Sequence, residues 1–411
     1  MPKKTPFHDC VAPLNQPQIW KHWAGYLVAP NYQYSIASEY YAVRNAVGML
    51  DTSPLFKYEI SGKHAEEFLQ VLLARDIRSC DPGQAQYTVW CNEDGFVLQD
   101  GVILRTSENR YLITAAEPTL RYFQKVAKQL QLSNVTINDV SDSFGILAVQ
   151  GPLSFDVLIQ HCSEISKLDF FDVCESKISG CPVVVSRTGY TGDLGYEIWC
   201  QTDDASNVWN ALMDTGREYG ITPMGTTALK MSRVEAGLLL MGVDFDSAKF
   251  AWVDEQRSSP LELGWKWMFR SLEKDDRPFI GRNSIESELK DESSRFVTVG
   301  LVVDWHHYQK LHREAGISPP LHELYFEETL SLYRVSDVPY DYAGYASSLL
   351  FSSLLKQLIA IARVPIDCAK IGTELEIEMS VLRKPVYVQA TVAKLPFFNP
   401  DRKTALPGDS L

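Results

Sequence analysis

The sequence predicts an α+β fold that ends in a separate β-rich domain. Three observations predict it. The chain has 411 residues, more than a single hydrophobic core serves, so two or three domains are expected. Up to about residue 295, helical and alternating periodicities follow one another in mixed order, which argues against a doubly wound sheet. From about residue 296 the period becomes two, the mark of a small β-barrel or sandwich.

In SIASEYYAVRNAVG, Ser35 is placed to cap a helix and Gly48 to stop it. KYEISG (57–62) has strand character, and KHAEEFLQVLLAR (63–75) sets Ala65, Phe68, Leu69 and Leu72 on one helical face. FVLQDGVIL (96–104) and RYLITAA (110–116) predict strands around a turn at Thr106–Asn109. TLRYFQKVAKQL (119–130) predicts a helix that buries Leu120, Phe123, Val126 and Leu130. FGILAVQGP (144–152) predicts a buried strand ended by Gly-Pro, with a helix from Leu153. CPVVVSRTG (181–189) and GDLGYEIWC (192–200) predict a hairpin, with Gly189, Thr191, Gly192 and Gly195 as turn chemistry. Helices over DDASNVWNALMDTG (203–216) and TALKMSRVEAGL (227–238) follow.

In the last part, FVTVGLVV (296–303), GTELEIEM (372–379) and YVQATVAKLPFF (387–398) are the expected barrel strands. The polar stretch 306–330, with Pro319-Pro320, reads as a surface excursion that joins no core. The chain after Pro400 reads as a frayed tail.

A formal charge of −13 and the lack of a basic stripe argue against a nucleic-acid partner. An anionic small ligand would need its own local Arg or Lys. Eight cysteines without a C-x-x-C pair read as buried thiols of a reducing compartment. No targeting segment and no apolar run of membrane-spanning length is found, so a cytoplasmic protein with no membrane partner is expected. The nicotinamide, P-loop and serine-hydrolase motifs are absent. His306, His307 and His312 lack metal-ligand spacing, read as solvent-exposed, and no metal is expected.

Three charged residues stand out. Glu197 alternates with Tyr196 and Ile198, so it points away from both. If that face is buried, the carboxylate needs donors, and a ligand with two adjacent N–H groups would supply them; a surface-facing Glu is the alternative. Tyr190 could stack on a flat heterocycle. Asp100 is either a turn residue or a carboxylate poised against a reacting nitrogen. Arg233 is either a helix-surface Arg paired with Glu235 or another acid, or a cation for an acidic ligand tail.

RTGYTGDLGYEI (187–198) resembles the signature segment of the glycine-cleavage T-protein (aminomethyltransferase) superfamily. TPF (5–7), AVRNAVGMLDTS (42–53), YTVWCNEDGFVLQDGVIL (87–104), AVQGP (148–152), ALKMSRVEAGLLLMGVDFD (228–246), FIGR (279–282) and VAKLPFF (392–398) follow in family order. The resemblance implies a three-domain cloverleaf around a tetrahydrofolate site. Residues 1–295 would form two intertwined α+β domains, 296–400 the C-terminal barrel and 401–411 a tail.

It also implies roles. Glu197 binds the pterin ring, Tyr190 and Arg233 contact folate, Tyr87 and Leu55 line it, and Asp100 is the catalytic aspartate. The reaction implied is one-carbon (aminomethyl or methyl) transfer to tetrahydrofolate from a small-molecule or lipoyl-carrier-borne donor, with an H-protein-like carrier as a possible partner. A demethylase of a small S-, O- or N-methyl compound is the rival. A folate-binding protein of iron–sulfur maintenance is the non-enzyme alternative, but Gly225–Gly237 lacks the cysteine of that group's K-G-C-Y-x-G-Q-E.

The chain also departs from the family. Gln99-Asp100 stands where Asp-Asp is frequent, and Pro54-Leu55-Phe56 where T-proteins have His-Met-Gly. Ala115, Ala116 and Glu117 occupy the region of a folate-binding asparagine, and Leu349 and Ser353 replace a Gly and a Pro.

Overall fold

The computed structural model describes residues 2–270, 272, 276–319 and 325–407. Three large sheets organise it. The first has six strands in the order Val173–Ile178, Cys181–Ser186, Gly195–Gln201, Phe144–Gln150, Val47–Asp51, Ile221–Pro223. Only its last pair is parallel. One face buries Met49, Leu147, Val149, Tyr196 and Ile198 against Val208, Trp209 and Leu212 of the Ala205–Gly216 helix. The period of two sends Leu50, Ala148 and Glu197 to the other face, in register across three strands.

The second sheet is antiparallel, with five strands in the order Gln84–Cys91, Val97–Ser107, Arg110–Ala115, Phe56–Ser61, Thr136–Asp139. Its outer face packs Tyr58, Trp90, Ile103 and Ile113 on the Ala65–Leu72 and Leu120–Gln129 helices. Its inner face meets the first sheet, where Ala85, Leu104 and Leu112 pack with Ile146 and Trp199.

The third sheet is a closed barrel of Phe296–Val303, Leu330–Arg334, Tyr342–Ser352, Gln357–Pro365, Glu374–Val381 and Lys384–Ala393. It closes because Tyr342–Ser352 pairs with Leu330–Arg334 on one side and Gln357–Pro365 on the other. The short Tyr325–Phe326 strand adds to the same ladder. Two of these strands escape a period-two reading because both of their faces are buried. Leu349, Leu358, Ala360 and Ala362 fill the barrel, while Leu350, Ile359 and Ile361 face the central core. That central core also takes Leu50 and Ala148 from the first sheet and Val89 and Val97 from the second, so all three sheets converge on it.

A buried polar lock holds the convergence. Arg44, on the Ile36–Asn45 helix, donates from Nε and Nη2 to Glu235 Oε2 at 3.0 and 2.6 Å, and from Nη1 to the Thr191 carbonyl at 2.9 Å. Tyr40 and the barrel's Ser352 donate to Glu235 Oε1 at 2.5 and 2.6 Å. The backbone N–H groups of Phe397 and Phe398 donate to the Glu235 carbonyl.

Several expectations are corrected. Gly48 does not stop the first helix, which ends at Asn45; it lies in the Val47–Asp51 strand, where a Cβ would meet Met224 and Val43 at 2.6 Å. The stretch from residue 306 is not a coreless excursion. Residues Trp305–Glu314 form a helix capped by Asp304, and Tyr308 buries its ring on the barrel core. Residues 320–324, with Pro320, lie outside the described residues. His312 is not exposed: it is buried, with Nδ1 2.9 Å from the Tyr308 carbonyl. Nor do residues 401–407 fray. Arg402 pairs with Asp193 at 2.7 Å, and buried Arg187 donates to the Arg402, Lys403 and Ala405 carbonyls. Residues 408–411 lie outside the described residues. Among the described residues no helix is long and apolar enough to cross a membrane.

Truncating Arg44 to Ala strands the Glu235 carboxylate without its cation. The expected loss is about 3–5 kcal/mol, read as a lower urea midpoint; Arg402→Ala, at the half-exposed end of the network, should cost much less.

Candidate active site

Asp100 lies in mid-strand, opposite Val89, and is no turn residue. It shares a sheet face with Val102 and Leu104, the face turned to the six-stranded sheet. Tyr87, opposite Val102 on the neighbouring strand, donates its hydroxyl to Asp100 Oδ2 at 2.8 Å. The Tyr87 ring meets Trp265 edge-on at 5.7 Å. Burial pushes the Asp100 carboxyl up to about 6, against the opposing pull of the Tyr87 hydrogen bond.

Glu197 lies on the facing sheet. It is half-buried between fully buried Tyr196 and Ile198. Thr188 donates its hydroxyl to Glu197 Oε2, and the Ser186 and Thr188 hydroxyls are 2.7 Å apart. Burial raises the Glu197 pKa and the Thr188 hydrogen bond opposes that rise. Oε1 receives no hydrogen bond among the described residues. One side of the carboxylate is thus fixed by the protein and the other is open.

The turn that carries Thr188 and Tyr190 is built around one amide. Gln150 Nε2 donates to the Thr188 and Tyr196 carbonyls, each at 3.2 Å, and its Oε1 accepts from Thr191 at 2.9 Å. Gly189 and Gly195 make room for it: a Cβ at either would lie 2.0 or 2.4 Å from the Gln150 amide. Gly192 adopts φ +73°, where a Cβ would strike Ala236.

Tyr190 packs its half-buried ring against the central core and donates its hydroxyl to the Leu239 carbonyl. Burial raises its pKa well above the usual tyrosine value, and Arg233, Asp100 and Asp244 are the charges it feels. Arg233 is not a helix-surface residue. It is fully buried, ion-paired to Asp244, and donates from Nη2 to Ser348 at 2.7 Å. Leu55 sits half-buried in the connection between the first two sheets, its carbonyl accepting from buried Lys57 at 2.8 Å.

The fold therefore gathers Asp100, Tyr87, Tyr190 and Arg233 around the central core and sets Glu197 on the sheet opposite. No recorded contact joins Leu55 to them. Sequence reasoning missed Thr188, Trp265 and Gln150. Gln150 had a signal: a lone amide before Gly-Pro at the end of an otherwise apolar strand. Glu117 is exposed, but its backbone is held by Gln99, whose Nε2 donates to the Glu117 carbonyl at 2.9 Å and whose Oε1 accepts from its N–H at 3.1 Å. Among the described residues no group of three or more His, Cys, Asp or Glu side chains is set to hold a metal ion.

Comparison with known proteins places this chain among relatives. The GCVT N-terminal domain matches residues 11–270, and the glycine cleavage T-protein C-terminal barrel domain matches residues 325–399. The chain is 30% identical over 407 residues to an aminomethyltransferase of Pseudothermotoga lettingae, covering 98% of this chain and 100% of that one. It is 31% identical over 406 residues to an aminomethyltransferase of Bacillus subtilis, covering 97% and 99%. It is also 30% identical over 383 residues to the heme-dependent oxidative N-demethylase gamma subunit of Ectopseudomonas mendocina, covering 93% and 92%. The solved structure of glycine cleavage system aminomethyltransferase T from Bartonella henselae superposes with a TM-score of 0.79 at 21% identity, covering 97% of this chain and 99% of that one, and shares the fold.

The raised Asp100 pKa gives a stability signature. The folded protein holds that proton more tightly than the unfolded chain, so the ionised carboxylate costs stability above about pH 6 and nothing below about pH 4. Asp100→Asn should be more stable than wild type at pH 7.5, by at most about 3 kcal/mol. The gap should close at pH 4, as followed by urea midpoints at both pH values.

Proposed function

Because this chain belongs to the glycine-cleavage T-protein family, we propose that it is a transferase that moves a one-carbon group, aminomethyl or methyl, onto tetrahydrofolate. The observation that carries the reading is the pair of half-open acids, Asp100 and Glu197, on facing sheets at the convergence of the fold. The open Oε1 of Glu197, beside an oxygen already fixed by Thr188, suits the amino group and adjacent ring N–H of a pterin. Tyr190 and Tyr87 offer rings to flank it.

Tetrahydrofolate supplies N5, the nitrogen that accepts the carbon. The chain's own part is positioning and proton handling. Tyr87 fixes Asp100 Oδ2, and among the described residues no other side chain donates to this carboxylate, whose Oδ1 can take a proton or face developing positive charge. With a pKa near 6, that carboxyl is ionised at neutral pH yet close enough to it to move a proton. Leu55 is assigned to the wall of the same site.

In the first reading the donor is an aminomethyl group borne on the lipoyl arm of an H-protein-like carrier. In the second it is a small N-, S- or O-methyl compound. The aminomethyltransferases at 30 and 31% identity favour the first; the N-demethylase subunit at 30% and Pro54-Leu55-Phe56 in place of His-Met-Gly support the second. The cysteine-free Gly225–Gly237 segment argues against the iron–sulfur maintenance role. Eight free thiols suit the cytoplasm.

The test gives the full chain tetrahydrofolate with either an aminomethylated carrier or a panel of methyl donors. Product from the carrier alone supports the first reading, product from small donors alone the second, and product from neither overturns the proposal. Turnover should fall as pH drops through about 6, because Asp100 then protonates. Asp100→Asn should lose roughly a hundred- to ten-thousand-fold in turnover while retaining folate binding in calorimetry. Unchanged turnover would remove Asp100 from the mechanism.

A further inference from the structure

Among the described residues, three buried arginines are held by buried acids, and buried Arg187 by main-chain carbonyls alone. Arg233 is paired with Asp244, Arg44 with Glu235, and Arg363 with Glu262 at 3.1 Å. An acidic ligand tail at Arg233 would therefore compete with an anion the protein itself supplies.

Arg75 differs. It is half-buried, and its one hydrogen bond among the described residues is from Nη1 to the Tyr87 carbonyl at 3.1 Å. Its guanidinium lies over the Trp267 ring, 5.1 Å from the centroid, and it makes no ion pair among the described residues. Burial lowers its pKa, and the group that opposes this is the Cys80 thiol, not a carboxylate. A desolvated guanidinium without an acid is a cost that an incoming anion would relieve.

Its position continues the line of the site. Glu197 lies on the facing sheet, Asp100 on the second strand of the five-stranded sheet, and Tyr87 on that sheet's edge strand. Arg75 lies just outside that edge, bonded to the backbone of Tyr87. Trp265, packed on Tyr87, and Trp267, under Arg75, belong to one short segment, and Lys266 between them is exposed.

We propose that Arg75, backed by Trp267 and flanked by Lys266, is the subsite for the carboxylate-bearing tail of the folate, in place of Arg233. This rests on the reading that Glu197 anchors the pterin. A guanidinium can grip a carboxylate through two parallel N–H groups, and the stacked indole holds its plane.

The experiment is calorimetry on the full chain with two ligands, tetrahydrofolate and its neutral bis-amide at the two glutamyl carboxylates. Wild type should bind tetrahydrofolate more tightly than the bis-amide. Arg75→Gln should weaken tetrahydrofolate by about tenfold or more and leave the bis-amide within about twofold, erasing the preference. Arg75→Lys should restore part of it. Equal losses for both ligands, or none for either, overturn the subsite. Glu197→Gln should weaken both ligands alike. If wild type binds both and only the Arg75 result fails, the pterin anchor stands without this subsite. If wild type binds neither, both readings fall.

Discussion

The fold depends on a carboxylate shut away from solvent. Glu235 is fully buried and takes its donors from other parts of the chain: Arg44 and Tyr40 from one helix, and Ser352 from the barrel. An interior charge of this kind is tolerable only while every partner is in place. Separating the barrel from the helices would strip it of Ser352 and open it to solvent, so the barrel is held against the helices. Arg44 carries the constraint onward, because it also bonds the Thr191 carbonyl and touches Asp193 in the turn that presents Tyr190. The geometry of the site is inherited from this lock.

Four interior acids separate by how fully they are satisfied. Glu235 receives two bonds from Arg44 and one each from Tyr40 and Ser352. Asp244 receives Arg233, Ser347, Ser348 and the Leu240 N–H. Asp100 and Glu197 each receive a single side-chain hydroxyl among the described residues. A saturated acid has nothing left to offer a ligand, and its role is to hold chain segments together. A half-satisfied acid with elevated pKa, in a place where its neighbours are buried, has binding capacity to spare. The same accounting, applied to cations, sets Arg75 apart from Arg233.

The strand position of Glu197 was legible because it interrupts an apolar run and alternation fixes its face, whereas Asp100, next to a glycine, read equally as a turn residue. The hairpin of 181–200 was legible from its glycines, although the reason for two of them, the Gln150 amide, was not. An acid partner for Arg233 was legible but its burial was not, since that partner, Asp244, stands in a connection that no periodicity describes. The barrel strands 342–352 and 357–365 were hidden for a different reason. They are apolar on both sides because the barrel and the central core each claim one face. His312 and Tyr308 were misjudged because a polar helix buries only a narrow stripe, and a tyrosine and a histidine one turn apart suffice for it.

The departures at Gln99 and Glu117 make sense as one change rather than two. Gln99 both donates to and accepts from the backbone of Glu117. An aspartate in that position is shorter, and when ionised it only accepts, so it cannot close the same ring. The connection at 115–119 is therefore fixed through its main chain, and the side chain of Glu117 is released to solvent. This connection follows the strand next to the one that carries Asp100. The clamp thus fixes the main chain of this connection and leaves the Glu117 side chain without a structural task of its own among the described residues.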